Sequence, residues 1–63
     1  MKTTNKLIVE LTDQESWDLA QLCKRFGFVD ALQCAADKEE AGRMLAVISK
    51  IQDELKDIGI NPR

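Results

Sequence analysis

Residues Lys6-Leu7-Ile8-Val9-Glu10-Leu11 read as a β-strand with nothing to pair with. They alternate and are rich in branched apolar side chains, with Leu7, Val9 and Leu11 on one face and Lys6, Ile8 and Glu10 on the other. Everything after Thr12 reads as helix or tight connection. A lone strand leaves its backbone N–H and C=O groups without a ladder, which is costly wherever they are buried. A second copy of the same chain is the expected source of the missing partner.

Size points the same way. A chain of 63 residues buries only about 60% of its unfolded surface, and such small folds usually need a disulfide framework, a metal or assembly. Cys23 and Cys34 are isolated thiols without framework spacing, and Lys2 precedes only a short apolar run broken by Glu10, so no signal peptide is expected. A reducing cytoplasm and a complete small gene product are the expectation. The chain has no His and no C-x-x-C pair, so no metal or other cofactor is expected. No stretch approaches the roughly 18 apolar residues of a membrane span. The net charge is −2, with acids and bases well mixed, which disfavours nucleic acid as a partner.

Residues 1–5 are polar and expected to fray. Thr12 with Glu15 three residues later fits a capping box, with Leu11 as a staple, and opens a helix over about 13–26. Lys24 and Arg25 suit its last turn, and Gly27 its left-handed C-terminal cap. At 100° per residue, Leu19, Ala20, Leu22, Cys23 and Phe26 share an apolar stripe. Trp17 falls instead among polar neighbours, beside Gln21 and Lys24. Residues 28–36 are apolar and short; Asp30 could cap a brief helix over 30–36, with a short buried strand as the alternative. Asp37 with Glu40 starts a long helix over about 38–58, whose Ala41, Met44, Ile48, Ile51, Leu55 and Ile58 repeat at 3–4 spacing. Gly59, Ile60 and Pro62 end it. No repeat, low-complexity tract or linker divides the chain, so one domain over 1–63 is expected. The fold class predicted is mainly α with one N-terminal strand, β-α-α-α, the strand paired across a homodimer. Leu7, Val9, Leu11, Ile48, Ile51 and Leu55 are the predicted dimerisation residues.

The strand, then Leu11-Thr12-Asp13-x-Glu15, then an amphipathic helix closing on Lys24-Arg25-Phe26-Gly27, resembles the opening of ribbon-helix-helix proteins. That resemblance implies a two-chain ribbon whose outward residues, here Lys6, Ile8 and Glu10, enter the DNA major groove. Ile8 is apolar and Glu10 acidic, which suits a dimer clasp better than a DNA reader. The wider pattern Leu11-Thr12-Asp13-x-Glu15-x-Trp17-x-Leu19-Ala20-Gln21, then Lys24-Arg25-x-Gly27-Phe28 and a terminal Gly59-x-x-Pro62-Arg63, resembles a group of small bacterial proteins carrying a domain of unknown function.

The chain offers no constellation for acid–base or nucleophilic catalysis: no His, no Tyr, no glycine-rich loop, and carboxylates placed mainly at helix starts. Cys23 and Cys34 read as small buried hydrophobes. The function expected is therefore non-enzymatic protein binding with no small-molecule ligand. A small acidic chain of this kind covers a partner's surface, as an accessory protein or a phage or mobile-element inhibitor of a host defence complex does. A ribbon-helix-helix regulator and an antitoxin-like structural partner are the alternatives. Trp17, Asp18, Gln21, Lys24 and Arg25 form the predicted contact patch, with Trp17 as its anchor unless the fold buries it as core.

Overall fold

Thr12 begins the first helix of a computed structural model that describes residues 3–62. Its hydroxyl accepts the Glu15 N–H at 3.1 Å while the Glu15 carboxylate accepts the Thr12 N–H at 2.9 Å, so both halves of the capping box are made. Helix α1 (Asp13–Arg25) follows, with Asp13 and Glu15 at its positive end and Lys24 and Arg25 at its negative end. Met1 and Lys2, the first of the residues expected to fray, and Arg63, the last of the Gly-x-x-Pro-Arg motif, lie outside the described residues.

The exit from α1 differs from expectation. Phe26 and Gly27 are both extended, and Gly27 has φ −99°, so no left-handed cap ends this helix. Gly27 is instead the N-cap of helix α2 (Phe28–Cys34), and its N–H donates to the Asp30 carboxylate at 2.9 Å. Asp30 thus braces the helix from inside its first turn, which moves the start two residues ahead of the predicted one. The end moves too. Ala35 is extended, and the Ala36 N–H is taken by the Glu40 carboxylate at 2.9 Å, so these residues serve the next helix.

Helix α3 (Lys38–Asp57) starts where the Asp37 carboxylate accepts the Glu40 N–H at 2.8 Å. It runs about 30 Å. Gly59 stops it with φ 88°; the Gly59 N–H donates to the Lys56 carbonyl and the Ile60 N–H to the Leu55 carbonyl, both at 2.9 Å. These two bonds form a Schellman motif, and they satisfy carbonyls that the helix end leaves orphaned.

The predicted β-strand over residues 6–11 is not formed, and the fold class is corrected to all-helical: every regular element among the described residues is a helix. A strand is defined by its ladder, and the chain's one other short apolar stretch, residues 28–34, is spent on α2. Residues 6–11 are exposed chain without strand pairing. With the strand goes the ribbon on which the likeness to ribbon-helix-helix proteins and the strand-paired dimer depended.

Helix α3 is the spine: α1 and α2 each pack on it and not on each other. Ala20 from α1, Leu55 from α3 and Ile60 beyond it form the core cluster, with Leu19 and Ile51 packed against it. At the α2 end, Ala31 and Ala41 are both 0% exposed. Alanines at such points let helix backbones approach closely. The result is a flat body of 34 × 34 × 15 Å.

Candidate functional site

Helix α1 presents two different surfaces, set by which residues it commits to α3. Ser16, Ala20 and Cys23 are its buried residues and mark the packed side. Rotating 100° per residue places Trp17, Asp18, Gln21, Lys24 and Arg25 on the flank and outer side of the helix. Trp17 is 42% exposed, so it is neither core nor fully free. Asp18, Lys24 and Arg25 are exposed and Gln21 is half-buried. The Asp18 carboxylate accepts a hydrogen bond from the Gln14 amide at 3.0 Å, one turn back. Lys24 and Ala20 also edge a small cavity of about 110 Å³ closed by Gln52, Leu55, Lys56 and the Ile60–Pro62 segment.

The opposite flank of α1 opens on a larger, apolar groove of about 480 Å³. Leu7, Val9 and Leu11 from the extended N-terminal segment form one wall. Ser16 and Leu19 from α1, and Ile51, Glu54, Leu55 and Ile58 at the far end of α3, form the rest. The structure therefore gathers five of the six predicted dimerisation residues in one place, although no strand aligns them. Ile48, the sixth, is half-buried on α3 and is not part of the groove. Leu19 and Ile58 were not among the predicted residues. The signal was present: Ile58 stands seven residues after Ile51 on one helical stripe, and Leu19 three after Ser16.

Several apolar positions fall on solvent instead of core: Leu22 of the predicted stripe of α1 and Ile58 of the predicted stripe of the long helix are exposed, and so are Val47 on α3 and Phe28, Val29 and Leu32 on α2. The two cysteines also part company. Cys23 is buried, and burial pushes its thiol up from the ordinary value, whereas Cys34 is exposed rather than buried as predicted. Cys34 ends α2 beside Gln33 and Asp30 in a shallow hollow with Leu22, Arg25 and Phe26.

Chemically, the groove can take up aliphatic or aromatic side chains, and Ser16 and Glu54 supply its polar atoms. The Trp17 flank offers a partly exposed aromatic surface on a helix whose outer side carries Asp18, Lys24 and Arg25. Among the described residues, no group of three or more His, Cys, Asp or Glu could hold a metal ion, and no helix is long and apolar enough to cross a membrane. No curated protein and no solved structure matches this chain. The model of a family of unknown function, DUF7706, matches residues 1–63, and the protein belongs to that family.

Proposed function

We propose that the protein acts without catalysis, by binding another protein through the outer flank of α1 with Trp17 as the anchor. The observation that carries this reading is the 42% exposure of Trp17 in a chain that has one Trp, two Phe and no Tyr. A partly seated indole is held in position by its covered edge and still presents a large contact area, which is why Trp recurs at the centre of binding surfaces. Lys24, two turns along the same flank, supplies a cation, and Arg25, round on the outer side of the helix, can pair with a carboxylate in two-pronged geometry. A short acidic chain that covers a functional surface on a larger protein fits an accessory subunit, or a phage or mobile-element inhibitor of a host defence complex.

The test is recovery of a stoichiometric partner from cells that encode the protein, using tagged wild-type chain and Trp17→Ala in parallel. Loss of that partner with the variant, at unchanged helical circular dichroism, is the expected result. Equal recovery by both chains, or collapse of the helical signal in the variant, would remove Trp17 as an anchor.

A further inference from the structure

The small cavity at the end of α3 differs in charge from the chain that forms it. The protein carries 11 acidic and 9 basic residues, yet Lys24 and Lys56 both line this cavity and no carboxylate does. Gln52 and Asn61 add two amide side chains to the lining. Lys24, Lys56 and Asn61 are exposed and Gln52 is half-buried, whereas Ala20, Leu55 and Ile60 beneath them are buried. The floor is therefore apolar, and the rim is rich in hydrogen-bond donors.

Local folding produces this arrangement. Gln52 and Lys56 stand one turn apart on α3, and Asp53 and Asp57 are turned 100° away from them around the helix. Gly59 bends the chain back, and Asn61 and Pro62 then close the cavity against α1. Lysines near helix ends complement the helix dipole. That role does not consume their N–H groups, because the Gly59 and Ile60 N–H groups already occupy the Lys56 and Leu55 carbonyls. The volume of about 110 Å³ is the room of about three to four waters, at roughly 30 Å³ each. It admits a carboxylate on a short apolar stem and excludes a nucleotide.

We propose that this cavity receives the carboxylate of an acidic side chain on the protein partner, with its methylenes resting on Ala20, Leu55 and Ile60. A phosphate group would turn oxygens against that apolar floor, at a desolvation cost. The assignment rests on the protein-binding role of the α1 flank and adds a second contact to it. Lys24 is seven residues after Trp17, about 10 Å along the helix and within about 20° around its axis. A partner spanning that distance meets the indole at one end and two cations at the other. An exposed carboxylate–lysine pair contributes little affinity by itself; its effect is to fix register and to reject partners without the acid.

Propionate, which carries the end of a glutamate side chain, is the probe. Titrated into the isotope-labelled full chain at constant ionic strength, it is expected to shift the Gln52 and Asn61 side-chain amide resonances saturably, in the millimolar range. The double variant Lys24→Gln with Lys56→Gln is expected to bind about tenfold more weakly or less. Both lysines are exposed, and unchanged helical circular dichroism verifies the fold. Shifts that do not saturate, an unchanged response in the double variant, or tighter binding of inorganic phosphate than of propionate overturns the proposal. In the partner-recovery experiment, Lys56→Glu is expected to lower recovery by about tenfold with Trp17 intact. Recovery equal to wild type overturns the assignment of the cavity to the partner's acid. If Trp17→Ala leaves recovery unchanged, the anchor fails alone, and the propionate titration still decides the cavity.

Discussion

Ile60 folds back on Leu55: its N–H donates to the Leu55 carbonyl at 2.9 Å, and the two side chains share one buried cluster with Ala20. The end of α3 is thereby locked to α1 through a residue that lies outside any helix. Ile60→Ala removes both the contact at the helix end and a third of the central cluster. It is expected to cost about 2–3 kcal/mol, read from the urea midpoint at fixed protein concentration.

Two glycines of α3 and its cap predict opposite signs for one substitution. Gly42 sits within the helix, and an added Cβ would meet nothing within 4 Å. Gly42→Ala is expected to stabilise by about 0.5–1 kcal/mol. Gly59 has φ +88°, so Gly59→Ala forces a strained left-handed alanine and is expected to destabilise by about 1–2 kcal/mol. Thermal melts of the two variants beside wild type check both signs.

Thr12 makes one bond of a reciprocal pair with Glu15. Thr12→Ala is expected to lower stability by about 1 kcal/mol, and Thr12→Ser to retain most of it. The same denaturation assay separates loss of the hydroxyl from loss of the methyl group.

The two thiols should react on different clocks. Cys34 is exposed and Cys23 is 2% exposed. An aromatic disulfide reagent is expected to modify Cys34 at once and Cys23 only as the fold opens. The folded Cys23 thiol holds its proton to higher pH than the unfolded one, because burial disfavours the thiolate. Its contribution to stability is therefore full below the ordinary thiol range and lost as pH rises through the raised value. Melts at increasing alkaline pH should show a steeper decline for wild type than for Cys23→Ala.

Local chemistry was legible where a side chain closes a backbone bond. Thr12 with Glu15, Asp37 with Glu40, and Gly59 with Ile60 could each be read directly, because capping geometry depends on residues three or four apart. Residues 6–11 misled for a physical reason. Alternation reports that one side of a segment meets apolar surface, and Leu7, Val9 and Leu11 do line a groove. It does not report whether a backbone ladder forms, since that depends on a partner elsewhere. Gly27 was ambiguous because it can serve the end of one helix or the start of the next, and Asp30, read as the cap itself, braces the cap from inside the first turn; the extended backbone at Phe26 and Gly27 decides both. The exposure of Cys34 and Leu22 followed from how α1 and α2 lean on α3, which periodicity within a single helix does not encode.

The shared spine also sets an order of assembly. Helix α2 reaches α3 across Ala35, Ala36 and Asp37 alone, whereas α1 must bring Ala20 to Leu55. Closing that longer loop of about 35 residues costs roughly 1 kcal/mol more than closing one of about 10. Local contacts form first when the loop term dominates. The α2–α3 hairpin is then the platform on which α1 docks last, and α1, which carries Trp17 and one wall of the groove, is the element whose undocking leaves the rest of the chain paired.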